Sequence, residues 1–281
     1  MKMSIFKDKV CVITGAASGI GRALAIELSE AGATLALSDI NADGLAETIE
    51  QVGGANKAMS DVFDIASADD IASYADKVAT THGAADYVFN VAGLTRVGNF
   101  VDTPLESMEK VMDVNYWGVV RMSKAFLGQI LERKGTLVNI SSVFGIIGYA
   151  GQTHYCASKF AVRGFTETLA QELRGTGVGI CSVHPGGIAT NIARNAIADK
   201  LPDNGVTREE LDAGFDKMAI TSPKKAAQVI LKGAAKKKRR ILIGADARFI
   251  SIVSRIFPVR YAKVIEKYAG ENSVLGQNNS I

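Results

Sequence analysis

A tyrosine and a lysine lie four residues apart in the segment Tyr155-Cys-Ala-Ser-Lys159. The surrounding pattern predicts a helix over residues 153–174, and residues at i and i+4 share one face of a helix, so the phenol and the ammonium can meet. A free tyrosine has a pKa near ~10, whereas a neighbouring cation favours the phenolate. The pair can therefore serve as a general acid and base near neutral pH, although alone it is also typical of an exposed helix pair.

Ser142 lies thirteen residues before Tyr155, directly after a predicted strand at 136–141. The end of that strand can bring the serine hydroxyl opposite the tyrosine, where it could polarise a carbonyl oxygen. Taken singly, a serine at this place is more often part of a turn. The joint arrangement of Ser142, Tyr155 and Lys159 favours chemistry on an alcohol or carbonyl oxygen.

A glycine-rich turn, Thr14-Gly-Ala-Ala-Ser-Gly-Ile-Gly21, lies between the first predicted strand and the first predicted helix. Backbone N–H groups at a helix N-terminus form an anion site, and glycine permits the close approach of a pyrophosphate. The spacing differs from the Gly-x-Gly-x-x-Gly fingerprint, and a plain strand-to-helix turn is the alternative. The residues that we expect to contact a dinucleotide here are Gly15, Ser18, Gly19, Ile20 and Gly21.

An acid, Asp39, ends the second predicted strand eighteen residues after Gly21. A carboxylate there can accept hydrogen bonds from the adenosine ribose and repels a 2′-phosphate. Positions 17, 18 and 40 offer no cation for that phosphate, although Arg22 is near. We therefore predict NAD over NADP, with a role for Asp39 as a charge or cap at the start of the next helix as the alternative.

Two later strand ends add candidates for the same site. Asp61 and Val62 follow the third predicted strand and could reach an adenine edge, while Asn90 and Gly93 bound a turn after the fourth that could pack beneath the nucleotide. Without the glycine-rich turn these would be ordinary turn residues.

Short apolar runs alternate with helical patterns along the chain, which favours parallel strands joined by helices. We predict a single-domain, doubly wound (Rossmann-like) α/β fold, in which a seven-stranded parallel sheet carries helices on both faces. Residues 1–246 would form the catalytic domain and 247–281 a C-terminal extension. The predicted strands are 10–14, 34–38, 57–60, 87–91, 136–141, 179–184 and 241–243, and the predicted helices are 20–31, 42–52, 68–81, 105–132, 153–174 and 224–237.

The composition fits an ordinary globular protein of 281 residues, of which 47% are hydrophobic. Three cysteines without C-x-x-C spacing indicate neither a disulfide framework nor a zinc site, so we expect a reducing cytoplasm and no metal. We see no signal-type segment and no apolar run of membrane-spanning length. Residues 224–267 carry thirteen basic and two acidic residues, so the positive charge is C-terminal.

Six motifs resemble the short-chain dehydrogenase/reductase family in order and spacing: TGAASGIG at 14–21, NVAG at 90–93, Asn115, ISS at 140–142, YCASK at 155–159 and PGGIAT at 185–190. The resemblance implies that Tyr155 donates or accepts the proton, that Ser142 holds the substrate oxygen and that Asn115 anchors a relay water. It implies that Lys159 binds the nicotinamide ribose and lowers the tyrosine pKa. It also implies a nicotinamide wall formed by Pro185, Gly186, Ile188 and Thr190.

The expected substrate is a lipophilic alcohol, ketone or aldehyde, because residues 143–150 are largely apolar and offer no arginine or lysine to clamp an anionic group. Simple core packing is the alternative for these side chains. The polar segment 191–221 follows a strand end and is expected to form a substrate lid.

The C-terminal segment 247–267 mixes aromatic and aliphatic residues with arginines and is interrupted by Pro258. Such a basic amphipathic segment can make a peripheral contact with an anionic membrane, but we favour the interpretation that it packs against a partner subunit or over the pocket. The family resemblance further implies pairing through helices 105–132 and 153–174, giving a homodimer or homotetramer.

Two other classes of function are alternatives to an oxidoreductase. A non-catalytic nucleotide-binding scaffold or sensor of the same fold would be expected to lose a catalytic residue, yet Asn115, Ser142, Tyr155 and Lys159 are all present. A nucleic-acid partner would rest on the basic run KKKRR at 236–240, which no aromatic residues interleave, so we predict none.

Overall fold

The computed structural model describes residues 3–190, 197–198 and 219–269. Seven strands form one parallel sheet in the order β3-β2-β1-β4-β6-β7-β9, which confirms the predicted doubly wound fold. The strands are β1 Val10–Thr14, β2 Thr34–Asp39, β3 Ala58–Val62, β4 Tyr87–Asn90, β6 Thr136–Ile140, β7 Gly179–Pro185 and β9 Arg240–Ile243; the two-residue strands β5 Arg96–Val97 and β8 Ile197–Ala198 pair separately.

Helices cover both faces of the sheet. The long ones are α1 Gly19–Glu30, α2 Ala42–Gln51, α3 Ala68–His82, α4 Leu105–Met112, α5 Gly118–Arg133, α6 Thr153–Glu172, α7 Pro223–Ala234, α8 Ala245–Ile256 and α9 Tyr261–Ala269. Short 3₁₀ turns occur at Met3–Phe6 and Val143–Gly145.

Two apolar layers follow from the alternation of side chains along each strand. In β1, Cys11 and Ile13 face a core layer shared with α1 and α7, whereas Val10 and Val12 face a layer shared with α3 and α5. Burial of every residue of β1 explains why this strand reads as a continuous apolar run in the sequence.

The sheet reverses its winding between β1 and β4. From β1 the chain proceeds outward to β2 and β3, and then returns to the other side of β1 to form β4. The loops after β1 and β4 therefore leave the sheet in opposite directions and open a crevice at their carboxyl ends, which is where doubly wound folds bind ligands.

The single helix predicted over 105–132 is wrong in one respect. A five-residue π-helical turn, Asp113–Trp117, separates α4 from α5, and it contains Asn115. A π-helical turn adds one residue to a helix without changing its polar and apolar character, so the sequence periodicity does not reveal it. The substrate lid expected at 191–221 lies mainly outside the described residues.

Candidate active site

The glycine-rich turn is held against the loop after β4. The hydroxyl of Thr14 accepts hydrogen bonds from the backbone N–H groups of Val91 and Ala92, at 3.0 and 3.1 Å. Gly15 has a φ of +67°, and a Cβ at this position would lie 2.8 Å from the Ala92 Cα. Gly21 is equally constrained, because a Cβ there would collide with the Gly15 carbonyl oxygen. These contacts explain the glycines as requirements of close backbone packing.

A cavity of about 390 Å³ opens at the crevice between β1 and β4. Its wall includes the predicted residues Gly15, Ser18, Gly19, Ile20, Gly21, Asp39, Gly93 and Thr190. The first turn of α1 also lies here, and its N-cap side chain makes no capping hydrogen bond to that turn. A glycine-lined cavity at a helix N-terminus, with a carboxylate at one end, fits a dinucleotide with a pyrophosphate and a ribose diol.

Asp39 lies at the edge of this cavity with both carboxylate oxygens anchored. One oxygen accepts the backbone N–H of Ala17 and the other that of Asn41, each at 2.9 Å. The cap of α2 is Asn41, whose side chain accepts the Gly44 N–H at 3.0 Å. Asp39 is therefore not the cap of α2, and its carboxylate is fixed beside the cavity.

Arg22, the basic residue that directly follows the glycine-rich turn, forms its hydrogen bonds within the chain. Its guanidinium donates to the Thr48 hydroxyl at 3.0 Å, the Gly44 carbonyl at 3.0 Å and the Glu47 carboxylate at 2.8 Å. These bonds tie α1 to α2 and occupy the Nε and Nη2 donors of the guanidinium.

Asp61 and Val62 are not in the wall of this cavity, whereas Asp64 and Ile65 are. Asp61 forms an ion pair with Lys77 at 2.6 Å, and Val62 is exposed on the outer strand. Strand β3 ends at residue 62, two residues later than predicted, so Asp61 and Val62 belong to the strand and do not follow it.

Asp64 is an ionised group at this wall. Burial alone would raise its pKa, but hydrogen bonds from the Ala66 N–H and the Lys110 ammonium, both at 2.9 Å, together with the charge of Lys110, lower the pKa below its ordinary value. Sequence reasoning missed this residue because its expected place was assigned to Asp61.

Asn90 is buried in the sheet and does not line the cavity. Its amide donates to the Asn139 side chain at 2.8 Å and so links β4 to β6. Gly93, three residues later, does reach the cavity wall, and a Cβ there would approach Asn115 Oδ1 to 3.1 Å and Lys159 Nζ to 3.4 Å. Gly93 therefore joins the nucleotide cavity to the candidate catalytic side chains.

Tyr155, Lys159 and Ser142 converge at that end. The Lys159 Nζ lies 5.6 Å from the centroid of the Tyr155 ring and donates to the Ile140 carbonyl at 3.1 Å. The Ser142 side chain also interacts with Tyr155, and this interaction favours the ionised phenol. The predicted meeting of a phenol, an ammonium and a serine hydroxyl is thus present in the geometry.

Burial dominates the titration of this pair. It raises the pKa of Tyr155 to about 12, although the hydrogen bond with Ser142 opposes the rise, and it lowers the pKa of Lys159 to about 8. Removal from water penalises the phenolate and the ammonium alike. The lowered tyrosine pKa expected from Lys159 is therefore not a property of these side chains alone.

Asn115 is completely buried at the π-helical turn. Its side-chain oxygen accepts the Leu94 N–H at 2.9 Å, and its amide donates to the Leu94 carbonyl at 2.9 Å and the Ser158 hydroxyl at 3.1 Å. The asparagine thereby fixes the loop after β4 to the catalytic helix α6.

His184 supports Ser142 from beneath. Its Nδ1 lies 3.0 Å from the Ser142 carbonyl oxygen, which can only accept, so Nδ1 carries the proton and Nε2 accepts from Ser182 at 2.9 Å. Burial lowers the pKa of His184 to about 4, which keeps the imidazole neutral. The sequence gives no sign of this role, because the contact joins residues 42 positions apart.

The expected nicotinamide wall, residues 185–190, follows β7. Thr190 lines the cavity, and its methyl carbon would lie 3.1 Å from a Cβ at Gly19. Pro185 ends β7, while Ile188 bridges to Thr221, and neither lines the cavity. Gly186 also lies outside the cavity wall.

Aromatic side chains line the other side of Tyr155. Phe144 packs edge-on against its ring, with centroids 6.3 Å apart, and stacks on Tyr149 at 4.7 Å. This aromatic cluster lies in the apolar loop that follows Ser142.

The C-terminal helices cover that loop. Ile147 packs with Val253 of α8 and Ile265 of α9, and the Tyr261 hydroxyl accepts the Gly148 N–H at 3.0 Å. Segment 247–267 thus packs on the loop after Ser142 of the same chain, while a contact with a partner subunit or a membrane stays a prediction. The helix break at Pro258 is also present, between α8 and α9.

Among the described residues, no helix is long and apolar enough to cross a membrane. The same part of the chain contains no cluster of three His, Cys, Asp or Glu residues that could hold a metal ion. The three cysteines are free and buried.

The fold and the site together define an oxidoreductase built on a dinucleotide-binding sheet. The model of the short chain dehydrogenase family matches residues 9–201, and the chain belongs to the short-chain dehydrogenase/reductase family. It is 43% identical over 268 residues to the putative oxidoreductase SadH of Mycobacterium tuberculosis, covering 94% of this chain and 96% of that protein. It is 36% identical over 227 residues to the 3-oxoacyl-[acyl-carrier-protein] reductase FabG of Thermotoga maritima, covering 80% and 89%.

Solved structures share the fold. A short chain dehydrogenase/reductase from Burkholderia phymatum in complex with NAD superposes with a TM-score of 0.79 at 27% identity, covering 89% of this chain and 94% of that one. Levodione reductase superposes with a TM-score of 0.76 at 26% identity, covering 86% and 99%.

Proposed function

We propose that this chain is an NAD-preferring oxidoreductase that interconverts a lipophilic alcohol and its ketone or aldehyde, with Tyr155 as the general acid and base. The observation that carries the proposal is the convergence of Ser142 and Lys159 on Tyr155, beside the Gly93 end of a dinucleotide-sized cavity.

The glycine-rich turn and the first turn of α1 would hold the pyrophosphate, and Asp39 would hold the adenosine ribose. Lys159 would contact the nicotinamide ribose, and Thr190 its carboxamide. When bound, the nicotinamide supplies the hydride acceptor or donor.

The chain itself supplies the proton. In alcohol oxidation the Tyr155 phenolate takes the proton from the substrate hydroxyl, and in carbonyl reduction the phenol returns it. Ser142 can donate a hydrogen bond to the same substrate oxygen, while the Lys159 ammonium favours the phenolate. Asn115 holds the loop after β4 against α6, and we propose that it also anchors a relay water.

Support for NAD over NADP comes from charge. The fixed Asp39 carboxylate repels a 2′-phosphate, and the Arg22 guanidinium is already bonded to four partners, Thr48, Ala17, Gly44 and Glu47. We expect kcat/KM to be higher with NAD than with NADP for the same alcohol. Equal or better turnover with NADP would contradict the preference.

The apolar loop supports a lipophilic substrate. Phe144 and Tyr149 offer partly exposed aromatic surface, and residues 143–150 contain no basic side chain. Alcohols, ketones and aldehydes of graded chain length, followed by nicotinamide absorbance in both directions, are the substrates with which to assay the enzyme.

The direct test is Tyr155→Phe, which removes one hydroxyl and keeps the ring. We expect kcat to fall by at least about 100-fold, because general acid–base catalysis supplies factors of this size, while the Kd for NAD changes little. Tyr149→Phe is the matched control, since it removes the other tyrosine hydroxyl of the same aromatic cluster and should retain turnover. Full activity of Tyr155→Phe would refute the assignment.

The runner-up proposal, a non-catalytic nucleotide-binding scaffold or sensor, has less support because Asn115, Ser142, Tyr155 and Lys159 are all present. A homodimer or homotetramer formed through α4 to α6, and the division into a domain at 1–246 and an extension at 247–281, also belong to the proposal. A peripheral membrane contact through 247–267 stays a prediction.

A further inference from the structure

Asp246, the second residue of α8, reaches back to the turn that follows β7. Its Oδ2 accepts the backbone N–H of Gly187 at 2.7 Å, although the two residues are 59 positions apart. Its other oxygen, Oδ1, is buried and has no hydrogen-bond partner within the described part of the chain. The carboxylate therefore faces the turn and not the solvent.

Two glycines make room for this carboxylate. A Cβ at Gly186 would collide with all three carboxylate atoms of Asp246, and a Cβ at Gly244 would collide with its Oδ1. Gly244 also has a φ of +98°, a conformation that side chains rarely allow. The close packing on both sides means that the carboxylate position and the backbone of the turn determine each other.

The remainder of the turn is held by backbone bonds. The Gly186 N–H donates to the Ile243 carbonyl at 2.9 Å, the Thr221 N–H to the Gly187 carbonyl at 3.1 Å, and the Ala189 N–H to the Thr221 carbonyl at 2.9 Å. The Gly187 N–H, which has Asp246 as its acceptor, belongs to the same short segment that ends at Thr190 in the cavity wall.

We propose that Asp246 is a positioning residue for the cofactor site. By fixing the Gly187 N–H it sets the path of residues 186–190 and, through them, the place of Thr190 beside Gly19. It touches no reacting atom. The inference rests on the proposed function, since residues 186–190 matter only if they border a bound nicotinamide, and it gives helix α8, which leads into the C-terminal extension, a part in cofactor binding.

A competing explanation is that Asp246 only stabilises α8, as acids in the first turn of a helix commonly do. Asp69 offers a matched control, because it is likewise the second residue of a helix, α3, and follows an alanine. Asp69 is exposed and does not line the cavity. A helix-stabilising role alone would make Asp246→Ala and Asp69→Ala equivalent.

The experiment measures the Kd for NAD by calorimetric titration of the full chain, together with Tm and the KM for NAD. We expect Asp246→Ala to raise both constants about tenfold, because small displacements of positioning groups have effects of this order or larger. Asp246→Asn keeps an oxygen acceptor and should restore most of the affinity. Asp69→Ala should bind NAD like the parent chain.

Amide hydrogen exchange gives a readout that does not depend on turnover. The Gly187 N–H should exchange slowly in the parent chain and in Asp246→Asn, and faster in Asp246→Ala. Unchanged NAD affinity in Asp246→Ala, or the same loss in Asp69→Ala, would overturn the inference. Tyr155→Phe with full activity would instead overturn the proposed reaction and leave this binding result standing, so the two failures are distinguishable.

Discussion

The half-buried Tyr155 and the buried Lys159 are both affected by loss of contact with water. Loss of water raises the pKa of the phenol to about 12 and lowers the pKa of the ammonium to about 8, so both groups favour their neutral forms. Each charge is stabilised by the other, and a tyrosinate forms most readily while Lys159 is still protonated. Lys159 carries its positive charge below about pH 8, and in that range it can stabilise the Tyr155 phenolate.

Lys159→Met should move the pH dependence of alcohol oxidation. Removing a neighbouring cation raises the pKa of an acid, so the alkaline limb of kcat should shift upward by at least about one pH unit. The measurement is the pH profile of kcat at saturating NAD. Lys159→Arg, which retains a positive charge, should show a smaller shift, and a profile of Lys159→Met identical to that of the parent would contradict the electrostatic role.

Contacts between site residues that are close in the sequence could be predicted, whereas contacts between residues far apart in the sequence could not. Tyr155 and Lys159 are one helical turn apart, so their meeting follows from helix geometry alone. Asp64 was missed because β3 ends two residues later than predicted, and this difference decides which carboxylate lies in the cavity wall. Asp246 was missed because its contact with Gly187 depends on the tertiary arrangement of β7 and β9.

At the scale of elements, regular strands and helices were predicted well because burial imposes periods that the sequence displays. The boundaries of β1 are as predicted, and the ends of the other sheet strands differ by up to two residues. The π-helical turn was not predictable from periodicity. The turn depends on tertiary contacts: Asn115 bonds to both backbone groups of Leu94, a pairing that holds the wider turn in place.

The two-residue strands β5 and β8 were also missed. Strands of this length have no measurable alternation, and their pairing of Arg96 with Ile197 and of Val97 with Ala198 joins segments a hundred residues apart. An amphipathic helix indicates only that one of its faces is covered, so the sequence left three possible roles for the C-terminal segment. The contacts of Val253, Ile265 and Tyr261 identify the covering surface.

At the scale of the whole molecule, the fold class was predictable because seven strands in a βαβ rhythm allow few topologies. The oligomeric state was not predictable in this way, since it depends on faces that are exposed in the single chain. Trp117 is 48% exposed beside apolar residues of α3 and α5, among them Ile71 and Val120. A large aromatic residue in this setting is typical of an interface between subunits.

Trp117→Glu should weaken pairing of the chain. A charge at the centre of an apolar contact is costly to bury, so we expect the mass from light scattering after gel filtration to fall toward that of one chain. Val101→Glu is the control, because Val101 is 87% exposed and lies in the loop between β5 and α4. An unchanged mass for Trp117→Glu would argue against pairing through this face.

The contact between Tyr261 and Gly148 bears on how the enzyme is made. The tyrosine, lysine and glycine-rich turn all leave the ribosome well before residues 246–265, yet the loop after Ser142 and the turn after β7 are each anchored by that later stretch. A nascent chain therefore carries Ser142, Tyr155 and Lys159 before it has the supports that hold them in place. The site should mature only after residues 246–265 have been synthesised.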